Sequence, residues 1–117
     1  MSTDTLLELR DALRRFAAER DWEPFHSPKN LAMALAGETG EVIEHFQWLT
    51  AEQSAALGAE AREAVALELA DVLMYLVRLA DVLDVDLADA AQRKLRINAG
   101  RYPVDKARGR AEKYSGL

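Results

Sequence analysis

Two pairs of acids stand out because of the residues around them. Between Leu31 and Ile43 the only charged residues are Glu38 and Glu41, and between Ala64 and Val77 the only ones are Glu68 and Asp71. Each pair has i, i+3 spacing, which on a helix sets both carboxylates on one face with Cβ atoms about 5–6 Å apart. Burying a carboxylate without a partner is costly, and four close together also repel one another. Basic residues are scarce nearby: Lys29 precedes the first pair, and Arg62 and Arg78 flank the second. A divalent cation compensates better, and an all-oxygen ligand set suits magnesium, with manganese as a substitute. Two such helices side by side make a four-carboxylate cage. Di-iron bundles share that architecture but use Glu-x-x-His pairs; neither pair here contains a histidine, which disfavours redox iron. Single pairs of this kind arise by chance on solvated helix faces. Two pairs, each holding the sole charges of an apolar stretch, argue for a site. Glu44 continues the row one step further, as an additional ligand or an exposed acid.

Two other groups of residues keep the acids company. Lys94, Asn98 and Arg101 fall at i, i+4 and i+7 on one helix face. Two cations with an amide between them suit phosphate oxygens, although a solvated basic stripe has the same pattern. Trp22, Phe25, Trp48 and Tyr75, with His26 beside them, form an aromatic set. Core packing accounts for Phe25 and Tyr75; Trp22 and Trp48 lie at helix ends, where a base could stack or a bundle could close.

Four helices are expected to carry these residues. Leu6, Leu9, Leu13 and Phe16 stripe a first helix from a cap at Asp4 to about Arg20. An aromatic connection follows over 21–26. Ser27 before Pro28 is a strong start signal for a second helix reaching about Trp48. Thr50 to Gly58 reads as a polar connection with a short helical turn, and a third helix spans about Ala59 to Leu83. Asp86 caps a fourth, ending near Gly100 and stopped by Pro103. The tail over 104–117 shows no periodicity and is expected to be partly extended. The acids border the apolar sector of their helix. With Glu68 at zero and about 100° per residue, Asp71 falls about 60° to one side, while Val65, Val72 and Leu79 lie about 20–60° to the other. Gly37 and Gly40 cost about 1 kcal/mol each inside a helix, and are expected to permit close approach of a neighbour.

The chain has 117 residues, half of them apolar and 30% charged, with few β-branched residues and three prolines. That bounds it to one all-α domain over 1–117, with a core of about 4–103 and the tail over 104–117. A net charge of -5 gives no general reason to bind nucleic acid or an anionic membrane. Without cysteine there is no disulfide, thiolate metal site or cysteine nucleophile. No secretory signal and no membrane span are legible, so a cytoplasmic protein is expected. The second and third helices are apolar on more sides than a single subunit of this length covers, which predicts a homo-oligomer.

The residues also resemble a known family. Gly37-Glu38-Thr39-Gly40-Glu41, followed after 26 residues by Glu68-Leu69-Ala70-Asp71, is similar to the ExxE…ExxD signature of the all-α NTP pyrophosphatases, the MazG-like superfamily. Arg20 to His26, Phe46-Gln47-Trp48 and Arg101-Tyr102-Pro103 resemble its dCTP pyrophosphatase branch. The resemblance runs from about Leu6 to Tyr114. It implies a four-helix-bundle-type subunit in an oligomer, dimer or tetramer with the tetramer favoured, whose sites draw on more than one subunit. It also implies magnesium-dependent hydrolysis of dCTP or a modified dCTP to the monophosphate and pyrophosphate. Glu38, Glu41, Glu68 and Asp71 fall on the family's metal ligands, and Lys94, Asn98 and Arg101 on its phosphate-contacting face. Trp22, His26, Asn30, Trp48 and Tyr75 fall on its base and sugar pocket. Either Glu38 or Glu41 would orient or deprotonate the attacking water, and spacing does not choose between them. Ala99 and Gly100 depart from the branch, which tends to carry further arginines there. The alternatives are a relative with another base preference, such as dUTP or non-standard nucleotides, and a non-catalytic helical interaction module.

Overall fold

The computed structural model describes residues 3–117, with side chains from residue 5 onward. It is helical throughout, with no strand among the described residues: α1 Thr3–Glu19, α2 Pro28–Glu44, α3 Ala51–Ser54, α4 Ala59–Val82, α5 Leu87–Arg101 and α6 Val104–Ala107. Short 3₁₀ turns lie at Glu23–Phe25 and Tyr114–Gly116. No described helix is long and apolar enough to cross a membrane. The chain forms two compact units, one ending at Val85 and the other running from Asp86 to Leu117.

Helix starts follow the capping chemistry. The Ser27 hydroxyl accepts from the Asn30 backbone N–H at 3.1 Å, with Pro28 in the first turn. Asp86 accepts from Asp89 N–H at 3.0 Å and opens α5. Thr50 and Gln53 form a reciprocal capping box that makes α3 a real, if single-turn, helix. Asp4, expected as a cap, instead lies within α1, which already includes Thr3.

Helices α1 and α4 end within one residue of the expected places, although aspartate there does what glycine usually does. Asp21 and Asp84 both have left-handed backbones, at φ 54° and 57°. Trp22 N–H returns to Ala17 O at 2.9 Å and Asp21 N–H to Ala18 O at 3.2 Å, closing α1. Val85 N–H to Ala80 O and Asp84 N–H to Asp81 O close α4 in the same way, at 2.8 and 3.0 Å. The first of these turns folds Trp22 back beside α1 and sets up the 3₁₀ turn leading to His26. Helix α2 stops at Glu44, four residues before the expected end. The following turn tightens, with Phe46 N–H and Gln47 N–H both donating to Ile43 O at 2.9 Å.

In the first unit α4 packs chiefly against α2 and also against α1. Among the described residues the buried apolar ones are Ala17, Leu31, Val65, Val77 and Ala80, a thin seam along those contacts. The glycines do not serve it: a Cβ added at Gly37 or Gly40 would meet nothing within 4 Å. The expected close approach at these positions is therefore absent among the described residues. In the second unit the tail is only partly extended. Arg110 grips Glu112 at 2.7 and 3.0 Å, and Tyr114 meets Tyr102 edge-on with ring centroids 6.0 Å apart.

Candidate functional site

The packing of α2 on α4 brings the two acid pairs together. One carboxylate oxygen from each of Glu38, Glu41, Glu68 and Asp71 lies within 4.8 Å of every other. Glu38, Glu68 and Asp71 are half-buried, while Glu41 is exposed. Burial pushes the Glu38 carboxyl above the ordinary range, reinforced by the carboxyls of Glu41, Asp71 and Glu68. The Glu68 carboxyl is also raised, first by the neighbouring Glu41 carboxyl and then by burial. Glu38 Oε2 and Glu68 Oε2 are buried oxygens with no hydrogen-bond partner. Orphaned carboxylate oxygens normally mark a missing cation or water. Opposite ligands of an octahedral magnesium are separated by about 4.2 Å. The 4.8 Å spread is close enough for small rotamer shifts to close it. The donor set, its size and its unpaired oxygens thus fit a hard divalent cation.

A histidine stands nearer than the pair spacing suggested. His45 caps the end of α2, and its Nε2 lies 3.9 Å from Glu68 Oε1. Neither pair contains a histidine, as read from the sequence, but the rim of the cluster has one. Its i+4 relation to Glu41 was the available signal.

Beside the acids is a cavity of about 310 Å³ whose walls include Glu38, Asp71, Trp22, His26, Tyr75 and Arg78. A second cavity of about 280 Å³ shares Trp22, His26 and Tyr75 and adds Asn30. The Asn30 side chain donates to Phe25 O at 3.0 Å, tying the start of α2 to the 3₁₀ turn. The Trp22 ring meets Phe16 and His26 edge-on, at 5.7 and 6.4 Å between centroids. These volumes are at the small end of the range for ligand pockets. Four of the five expected base-pocket residues therefore converge. The fifth does not: Trp48 lies in the turn after α2, is 86% exposed, and lines neither cavity. The early stop of α2 at Glu44 is the physical reason, since that turn does not continue the helical face.

Lys94, Asn98 and Arg101 all lie on α5 in the second unit, at the one-face spacing expected. The Arg101 guanidinium also stacks 4.7 Å from the Tyr114 ring centroid, a cation–π contact.

An ion network was not legible in the sequence. Arg14 of α1 grips Asp81 of α4 with two hydrogen bonds, Nε at 2.7 Å and Nη2 at 2.5 Å. Arg78 Nη1 reaches Asp81 Oδ2 at 3.3 Å, and Arg78 Nε donates to His26 Nδ1 at 3.1 Å. The Arg14 hydrogen bond is the main cause that holds the Asp81 carboxyl below the usual aspartate range. His26 is lowered by burial first and by the Arg78 charge second, with Glu23 opposing.

The fold and site define a class: all-α proteins with paired carboxylates on two packed helices, suited to a divalent cation beside an aromatic pocket. The MazG-like family model matches residues 34–117, and the chain belongs to that family. It is 50% identical over 115 residues to dCTP pyrophosphatase 1 of Homo sapiens, covering 97% of this chain and 68% of that protein. The Bos taurus dCTP pyrophosphatase 1 is 48% identical over 118 residues, 99% of this chain and 70% of that one. Among solved structures, a pyrophosphatase from Archaeoglobus fulgidus superposes with a TM-score of 0.80 at 37% identity, over 85% of this chain and 93% of that one.

Proposed function

We propose that this protein is a magnesium-dependent nucleoside triphosphate pyrophosphohydrolase acting on dCTP or a modified dCTP. The observation that carries the reading is a shared wall: Glu38 and Asp71 of the acid cluster line the same cavity as Trp22, His26 and Tyr75. A base held among those rings would leave its phosphates near the acids. The two relatives named dCTP pyrophosphatase 1, similar over nearly the whole chain, support the substrate.

Glu38, Glu41, Glu68 and Asp71 would hold the cation, whose chemistry is to neutralise phosphate charge and lower the pKa of water. The reaction adds water to the α-phosphorus and breaks the bond to the bridging oxygen, giving dCMP and pyrophosphate. Glu38 or Glu41 orients that water and takes its proton. Lys94, Asn98 and Arg101 bind the β- and γ-phosphates and stabilise charge on the leaving pyrophosphate; their one-face spacing and the family resemblance support this role. Trp22, His26, Asn30 and Tyr75 hold base and sugar, and their contacts favour the correct nucleotide over its competitors.

The reading includes a cytoplasmic homo-oligomer, with the tetramer favoured, built from a subunit of four-helix-bundle type. Met33 and Ile43 of α2 and Leu67 and Leu69 of α4 are exposed apolar residues that a second subunit would cover. Trp48, idle within its own subunit, is then available to a neighbour's pocket. Incubation with magnesium and dCTP, followed by product separation, tests the reading: dCMP with pyrophosphate supports it, and dCDP with phosphate contradicts it.

A further inference from the structure

Arginine has donors only, so the nitrogen that Arg78 Nε meets at 3.1 Å must be an acceptor. That nitrogen is His26 Nδ1. An imidazole whose Nδ1 accepts a hydrogen bond carries its proton on Nε2 and has no positive charge. Arg78 is well placed to impose this choice. Its side chain is 13% exposed, and its Nη1 is anchored by Asp81, itself clamped by Arg14. The network thus links α1, α4 and the turn before α2, and it ends on a ring that lines both cavities.

We propose that Arg78 is a positioning residue of the pocket: anchored by Asp81, it holds His26 as the neutral imidazole protonated at Nε2, so that His26 meets its ligand as a hydrogen-bond donor. Read with the proposed function, on which this part rests, the donor suits a carbonyl acceptor on the base, such as the 2-carbonyl of a pyrimidine, rather than an exocyclic amine. An amine at that position would face a second donor and leave both unpaired, the mismatch that rejects a wrong ligand most strongly. The downward shift of His26 by burial and by the Arg78 charge has the same direction.

The glutamine amide nitrogen occupies the same place along the side chain as arginine Nε. Arg78→Gln therefore keeps a donor for Nδ1 while removing the charge and the Nη1 contact to Asp81, and Arg78→Met removes all three. Long-range ¹H–¹⁵N correlation spectra of the full-length protein without nucleotide read the tautomer directly. The expected result is a protonated Nε2 and bare Nδ1 in wild type and Arg78→Gln, and a mixed or reversed pattern in Arg78→Met. With dCTP, Arg78→Met raises KM about tenfold, the loss of one hydrogen bond, with kcat within about twofold. Arg78→Gln restores KM, and adding Arg78→Met to His26→Ala costs nothing further. A wild-type His26 that is cationic or protonated at Nδ1 overturns the proposal, as does an Arg78→Gln variant that behaves like Arg78→Met. The wild-type and Arg78→Gln spectra decide the matter even where Arg78→Met does not fold. A chain that hydrolyses no deoxynucleotide, yet shows the expected spectra, overturns the proposed function and not the tautomer.

Discussion

Replacing Asp81 with asparagine isolates the ion network from the acid cluster. The Asp81 carboxylate is only 8% exposed and accepts from Arg14 at 2.7 and 2.5 Å and from Arg78 at 3.3 Å. Asparagine keeps one acceptor oxygen but turns an amide towards one guanidinium and removes the charge from all three contacts. Hydrogen bonds to charged groups contribute about 1.5–3 kcal/mol each. The Arg78 contact is long and the Arg14 side chain is 53% exposed, so solvent screens much of that sum. The expected loss for Asp81→Asn at pH 7 is about 2 kcal/mol, or roughly 8 °C in Tm for a domain of this size. The pH dependence has a definite sign. The folded carboxyl titrates below its unfolded value, so the contribution is complete above about pH 5 and fades as pH falls through the carboxylate range. Thermal unfolding of both proteins at one fixed protein concentration, from pH 8 to pH 3, provides the assay. The gap between them should be constant down to about pH 5 and narrow below about pH 4. An unchanged Tm at pH 7, or an equal gap at pH 3 and pH 7, would refute the assignment.

Four further outcomes follow from the same structure. Glu68→Gln and Asp71→Asn each lower kcat/KM for dCTP at least about 100-fold with the helical circular dichroism intact; full activity in either would remove that residue from the cage. Lys94→Met and Arg101→Met each cost about 10–100-fold in kcat/KM through lost phosphate contacts, and unaltered kinetics would return that face to solvent. Trp48→Ala raises KM for dCTP severalfold although the side chain packs on little within its own subunit, and an unchanged KM would exclude it from any pocket. Sedimentation at micromolar concentration gives a mass that is a multiple of 13.0 kDa, whereas a pure monomer would leave the exposed apolar residues of α2 and α4 without an explanation.

What the sequence reveals here is what is local. The i, i+3 pairs, the Ser27–Pro28 start and the Asp86 cap depend on neighbours a few residues away, and each has its expected local form. The ends of α1 and α4 fall within one residue of their expected places, even though Asp21 and Asp84, not glycines, take the left-handed turns. The stop of α2 carries no residue signal at all, and with it went the placement of Trp48. The tail shows no periodicity because its order comes from single pairs, Tyr102 with Tyr114 and Arg110 with Glu112. The network from Arg14 to His26 spans separations of 67 and 52 residues. No periodicity encodes it; only the packing of α1 and the following turn on α4 does. Arg78 flanks the second acid pair in sequence, but its guanidinium bonds Asp81 and His26.

The central claim, that four carboxylates and an aromatic pocket together serve pyrophosphohydrolysis of a deoxycytidine triphosphate, rests most directly on one measurement. Purified protein is incubated with magnesium and each of the four common deoxynucleoside triphosphates, and kcat/KM and products are determined for each. The expected result is highest kcat/KM on dCTP, release of dCMP and pyrophosphate, and loss of turnover when the metal is chelated. Preference for a purine nucleotide, release of dCDP and phosphate, or no metal-dependent hydrolysis would contradict it.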